Sequence, residues 1–180
     1  MDTEQQLLER ILRSEREAQQ ELYHRYAGSA IAVAMRYIPD REAARDVVQE
    51  AFAKIFAGIA KYNYQGEGSL RSWVMRVVSN EAFNWVRKES HFAFADFPED
   101  ETPDEEPDVG DIDLEVLQRM IEQLPEGCRV VLNLYVFEQK SHKEIARLLH
   151  IKESSSASQY LRAKRMLAKS INEYKRKHQL

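Results

Sequence analysis

Between residues 96 and 113 the chain carries ten acidic side chains and no basic one, with Pro98, Pro103, Pro107 and Gly110 spaced among them. Like charges at this density repel, prolines deny the backbone its helical hydrogen bonds, and too little apolar area is present to offset the entropy of ordering. Residues 92–113 are therefore expected to form a flexible acidic linker. Extended at about 3.4 Å per residue, such a segment reaches roughly 75 Å. Whatever folds must fold on either side of it, so the chain reads as two small domains, 5–91 and 114–177.

The same division sorts the charge. Residues 1–95 hold 13 basic and 13 acidic groups, whereas residues 114–180 hold 13 and 7. The net charge of −4 thus conceals a C-terminal segment of +6. An acidic average argues against a polyanionic partner, and this distribution reverses that argument. Cys128 is the only cysteine, so no internal disulfide can form and a reducing compartment fits. No apolar run approaches the roughly 20 residues that span a bilayer. The start Met1-Asp2-Thr3-Glu4-Gln5 is unlike a secretory signal. A soluble, cytoplasmic protein with no direct membrane insertion is expected.

Both flanks read as all-α. Leu7, Leu8, Ile11 and Leu12 make one apolar stripe at helical spacing, and Val47, Val48, Ala51, Phe52, Ile55, Phe56 and Ile59 make a stronger one. Pro39-Asp40 is a turn, with Asp40 placed to cap the helix that follows. The loop Tyr62-Asn63-Tyr64-Gln65-Gly66-Glu67-Gly68-Ser69 interrupts the pattern, and Ser69 is expected to cap a helix over about 70–88. Beyond the linker, Leu114, Leu117, Ile121 and Leu124 share a face, and Pro125-Glu126 opens a second helix with apolar Val130, Val131, Leu134 and Tyr135. Cys128 is most simply a small core residue.

Ser141-His142-Lys143-Glu144-Ile145-Ala146-Arg147-Leu148-Leu149 reads as a short helix, His150-Ile151-Lys152-Glu153 as a turn, and the serine run from Ser154 as the start of another helix. This is the pattern of a helix-turn-helix, whose second helix enters the DNA major groove. Ala146 falls where two helices approach closely, and Ile145, Leu149 and Ile151 face the core. On the second helix Tyr160, Ala163, Leu167, Ile171 and Tyr174 form the buried stripe, leaving Ser155, Ala157, Ser158, Gln159, Arg162 and Arg165 outward. Ser and Gln can bond phosphates or base edges, and Arg can grip guanine through two hydrogen bonds. The plain alternative is a helical hairpin with a solvated basic face.

In the N-terminal half, Tyr62, Tyr64, Trp73 and Trp85 lie near Arg71, Arg76, Asn80, Asn84, Arg87 and Lys88. Aromatic rings can stack on an unpaired base, amides can read its edge, and arginines can hold phosphates. Trp73 sits within the apolar stripe and is equally a core residue. By spacing alone, the helix bearing Asp46, Gln49, Glu50 and Lys54 is a core helix with a solvated face. Catalytic readings fail: the five histidines are scattered without metal-ligand spacing, and no phosphate-binding glycine loop or nucleophile elbow is present. Neither a catalytic residue, a metal site nor a cofactor is expected, and the chain is read as no enzyme.

Taken together, these segments resemble bacterial RNA polymerase sigma factors of the sigma-70 family, in the extracytoplasmic-function group, over roughly residues 5–172. Asp46-Val47-Val48-Gln49-Glu50-Ala51-Phe52 looks like the family's helix that docks on the coiled coil of the polymerase β′ subunit. The resemblance therefore implies core-polymerase binding through Asp46, Gln49, Glu50, Phe52 and Lys54, with both β′ and β as partners. Residues 64–80 are similar to the segments that melt and read the −10 promoter element, which implies roles for Tyr64, Gly66, Ser69, Arg71, Arg76, Asn80, Asn84 and Arg87. Leu124-Pro125-Glu126-Gly127-Cys128-Arg129, with residues 141–169, looks like the module that reads duplex DNA at −35. In this family the acidic linker threads the polymerase cleft and RNA exit path, and members are commonly held inactive by a membrane-bound anti-sigma protein. The sequence departs from the family at His150 and Ser154, where glycine is usual, at Ala157, where a basic residue is common, and at Tyr64, which replaces phenylalanine. The rival readings are a stand-alone helix-turn-helix regulator and a helical interaction protein.

Overall fold

A computed structural model describes residues 2–89, 109, 110 and 112–178. The expected acidic linker, 92–113, lies almost wholly outside the described residues. Those residues form helices without a single strand. The chain divides into two units, residues 1–89 and 90–180.

The N-terminal unit contains α1 (Glu4–Leu12), α2 (Arg16–Met35), α3 (Arg41–Gly58), a 3-10 turn at Ile59–Lys61, and α4 (Ser69–Glu89). Thr3 opens α1 in a capping box with Gln6, bonding two otherwise orphaned N–H groups. No glycine or proline separates α1 from α2; the break falls at Ser14, which adopts a φ of 63°. Arg10 spans the corner, pairing with Asp2 at 2.6 Å and Glu15 at 2.8 Å. Asp40 caps α3 by accepting from Ala43 N–H at 2.8 Å, as its position predicts. Helices α2, α3 and α4 pack on one another, and α1 lies against α2. Leu7, Leu22, Ile38, Ile55, Leu70, Val74 and Val78 are fully enclosed, each contributing about 1.5–3 kcal/mol by leaving water. Leu12 departs from its predicted stripe: it ends α1 and is exposed.

The C-terminal unit contains α5 (Leu114–Glu122), α6 (Glu126–Leu132) running on into a π turn at Asn133–Phe137, α7 (His142–Leu149) and α8 (Glu153–His178). Helices α5, α6 and α7 all pack against α8. Ile121, Leu124, Cys128, Leu132, Ala163 and Leu167 form the core, so Cys128 is the small buried residue expected. Arg129 is buried at the α5–α6 corner, where its Nη1 donates to the carbonyls of Leu124 (2.7 Å) and Glu122 (3.2 Å), closing the end of α5. Burial holds its guanidinium below the ordinary arginine range. Leu114 does not join the predicted face; it starts its helix 78% exposed. Tyr135 is likewise exposed.

Candidate nucleic-acid interface

In the C-terminal unit, Ser141 opens α7 in a capping box with Glu144. These bonds hold the Glu144 carboxyl below the usual carboxylate range. The helix ends at His150, which takes the left-handed conformation (φ 55°, ψ 43°) that the turn requires. Histidine is one of the few non-glycine residues found there with any frequency, so the tight turn is kept without glycine. Ile151 N–H then bonds the Ala146 carbonyl at 3.0 Å. The second helix begins at Glu153, one residue before the serine run, because an acid in a first turn complements the helix dipole.

This register corrects two expectations. Ser155 (8% exposed) and Gln159 (5%) do not face outward. Gln159 Oε1 accepts the Cys128 thiol at 3.0 Å, and the neighbouring Ser156 Oγ lies 3.0 Å from His142 Nδ1. The His142 ring stacks on Tyr135 with centroids 4.5 Å apart, and burial lowers its pKa. The polar start of α8 is therefore half internal: it fastens the helix to α6 and α7. Ala157 is exposed, and Ser158, Arg162 and Arg165 are half-buried. Tyr160 and Tyr174, expected in the buried stripe, are only half-buried. Ser154 and Lys152 are exposed at the mouth of the turn.

In the N-terminal unit, α4 presents Arg76, Asn80, Asn84 and Arg87 within about 80° of one another around its axis. Arg76, Asn80 and Arg87 are exposed, and Asn84 is half-buried. Arg71 does not join them: it falls on the opposite side of the helix, as does Trp85. Tyr62 and Trp73 pack against each other, their rings tilted and their centroids 4.9 Å apart. Tyr62 also donates to Ser69 Oγ at 2.7 Å, so this pair braces the loop. Tyr64 is left half-exposed, its hydroxyl 3.3 Å from Glu67 Oε2. Gly66 and Gly68 hold φ values of 111° and 86°, which side-chain-bearing residues rarely adopt.

Ser69 is not the cap of α4. Its Oγ turns back to the Gly66 carbonyl and accepts from Gln65 N–H. The first-turn N–H groups go instead to Glu4: Leu70 N–H to Oε2 at 2.9 Å and Arg71 N–H to Oε1 at 3.0 Å. Glu4 is buried and also accepts the Tyr26 hydroxyl at 2.7 Å. Burial beside this carboxylate pushes the Tyr26 phenol well above its ordinary pKa.

On α3, Asp46, Gln49, Glu50 and Lys54 form one exposed stripe, with Lys54 paired to Glu81. Phe52 is not on that surface: it is 3% exposed and packs edge-on to Tyr23 at 4.8 Å. Among the described residues no group of His, Cys, Asp and Glu is arranged to hold a metal ion, and no helix is long and apolar enough to cross a membrane.

The Sigma-70 region 2 family matches residues 22–92, and the Sigma-70 region 4 family matches residues 114–167. The chain is similar to the RNA polymerase sigma-H factor of Pseudomonas aeruginosa, at 27% identity over 94% of each chain. It is similar to the ECF RNA polymerase sigma-E factor of Haemophilus influenzae, at 25% identity over 94% of this chain and 95% of the relative. It is also similar to the RNA polymerase sigma factor YlaC of Bacillus subtilis, at 26% identity over 74% of this chain and 80% of the relative. With both sigma regions present in order, and a helical unit for each, the chain belongs to the sigma-70 family of RNA polymerase sigma factors, in the extracytoplasmic-function group.

Proposed function

We propose that this sigma factor directs promoter-specific initiation by dividing recognition between its two units. The exposed stripe of α3, Asp46, Gln49, Glu50 and Lys54, docks on core polymerase through β′, with β a second contact. Phe52 supports that surface from beneath. The −10 element is read as unpaired bases: Tyr64 stacks, Asn80 and Asn84 bond base edges, and Arg76 and Arg87 hold phosphates. Gly66 and Ser69 shape the loop, and Arg71, on the opposite side of α4, takes no part in that face. The −35 element is read as duplex by the outer face of α8, through Ser158, Arg162 and Arg165, with Ala157 lying close to the groove. Ser155 and Gln159 set the pose of that helix. The protein works in the cytoplasm, carries out no chemistry of its own, and is restrained by an anti-sigma partner at the membrane.

The observation that carries this reading is the single face of α4 on which two arginines and two asparagines line up, in a unit whose loop before α4 also leaves Tyr64 half-exposed. That combination suits an unstacked strand better than a duplex. The test is association with core polymerase by gel filtration, followed by transcription from a genomic library. Co-elution with new, specific transcripts is expected. Replacing Asp46, Gln49 and Glu50 together by alanine is expected to weaken association by about 100-fold, the scale of a lost central patch. A chain that ignores core enzyme but binds an operator by itself would make the stand-alone regulator the correct reading.

A further inference from the structure

We propose that Glu4 is a positioning residue for base capture: the first turn of α1 is a latch that sets the start of α4 and the pose of the Tyr64 loop. The proposal rests on the reading of Tyr64 and α4 as the −10 site.

The local sequence cannot close this helix end by itself. Gly68, just before α4, has no side chain, and Ser69 Oγ is committed to Gly66, Gln65 and Tyr62. The first-turn N–H groups are consequently open to a distant partner. Glu4 supplies it, with both carboxylate oxygens engaged and Tyr26 of α2 as a third donor. One buried carboxylate thus joins α1, α2 and α4.

The backbone of the same residue reaches the other end of the loop. Glu4 N–H donates to Glu67 Oε2 at 3.3 Å, and that oxygen also accepts from Tyr64. The latch therefore holds residues 64–71 at two points, one at the helix start and one at the Glu67 carboxylate that the Tyr64 hydroxyl also reaches. A side chain added at Gly66 or Gly68 would meet no atom within 4 Å. The middle of the loop is thus open, and polar bonds, with the Tyr62–Trp73 pair at its start, define its pose. Tyr64 stacks through its ring while its hydroxyl stays on Glu67, so the loop around it is already ordered when the strand arrives. Ordering the loop before binding removes part of the entropic cost of capture. Glu4 acts on that cost without touching DNA.

The test uses holoenzyme assembled from the full chain and core polymerase. Its probe is a fluorescent single strand carrying the −10 sequence of a promoter that this holoenzyme transcribes. Glu4→Gln keeps the size of the side chain but sets an NH2 donor against backbone N–H donors. Its expected effect is a loss of about tenfold in affinity for the strand, the scale of one buried polar group losing its partner. Core-polymerase affinity, which belongs to α3 of the same unit, is expected to stay within about twofold. Tyr26→Phe removes one donor to the same carboxylate and is expected to give a smaller loss in the same direction, which covers failure of Glu4→Gln to fold. Because Glu4 acts through the Tyr64 loop, adding Glu4→Gln to Tyr64→Ala should cost little beyond Tyr64→Ala alone. Wild-type strand affinity in Glu4→Gln, beside a clear loss in Tyr64→Ala, would overturn the latch and leave the −10 reading standing. Parallel loss of strand and core affinity would reduce Glu4 to a general stabiliser. Full strand affinity in Tyr64→Ala would remove the −10 reading itself and the latch with it.

Discussion

The two units place polar side chains in opposite ways. In the N-terminal unit, the polar residues of α4 that resemble DNA readers lie outward, and the bonds that fix the start of their helix and the loop before it come from elsewhere: Glu4 from α1, Tyr26 from α2, Glu67 from the loop. In the C-terminal unit, the first polar residues of α8 are themselves the fastening, with Ser156 beside His142 and Gln159 beneath Cys128. The difference teaches that a serine or glutamine on a recognition helix is a surface residue only if no neighbouring helix offers it a partner. Where a thiol or imidazole faces it across a helix contact, the same residue is core.

The sharpest way to break this contrast is to pit Gln159 against the arginines. Replacing Arg162 and Arg165 together by alanine is expected to lower affinity for −35 duplex by about 100-fold, two side-chain contacts at 1–3 kcal/mol each. The melting temperature should fall less than in a core substitution. Gln159→Met is expected to do the reverse, chiefly lowering the melting temperature and reducing duplex affinity far less than the double arginine change. Fluorescence anisotropy and calorimetry on the same preparations measure both. If Gln159→Met weakens duplex binding at unchanged stability, the buried placement of Gln159 is wrong for the DNA-bound protein.

These cases mark what was legible beforehand. The apolar periodicity of α3 and α4 and the short helix 142–149 were readable because each face is local: positions three and four apart lie together whatever the rest of the chain does. Asp40 was readable as a cap for the same reason. The buried placement of Ser155 and Gln159 was not, because it depends on Cys128 and α6, which sequence spacing does not bring near. The Glu4 cap was hidden more deeply. An acid in the first turn of a helix is explained locally by the helix dipole, so nothing announced that its carboxylate serves a helix starting at Ser69. Leu12 and Leu114 erred in the other direction: they continue apolar stripes at helix ends, where no facing helix among the described residues covers them. The candidate DNA and polymerase residues came from family resemblance joined to residue chemistry, and the register of α4 separates Arg71 from the rest of its set.

A smaller effect sharpens the N-terminal side of the comparison. Tyr64→Ala is expected to reduce single-strand affinity by about tenfold, the worth of one base stacked on an aromatic ring. Tyr64→Phe should retain most of it, because the ring still stacks and only the hydroxyl's bond to Glu67, one arm of the latch, is lost. Tyr62→Phe separates loop bracing from stacking: it loses the bond to Ser69 Oγ while keeping the ring against Trp73, and a modest loss of strand affinity is expected. If Tyr64→Phe were as damaging as Tyr64→Ala, the hydroxyl and not the ring would be the working group, and stacking would be the wrong mechanism.

The smallest expected effect tests whether the C-terminal fastening is as buried as its contacts imply. Burial holds the His142 imidazole below its ordinary pKa of 6.5, with Glu153 partly opposing that shift. The unfolded chain therefore takes up a proton at this ring at a pH where the folded chain still leaves it neutral. Because the unfolded state binds more protons there, stability must fall as pH drops through the mid-sixes, and the loss ends once the folded ring titrates too. His142→Asn removes the titrating group, so the pH dependence of the melting temperature between pH 7.5 and 5.5 should be shallower in the variant. Identical slopes for the two proteins would mean that the ring is solvated in solution. The C-terminal unit would then share the arrangement of the N-terminal one, with its orienting bonds made outside the reading helix.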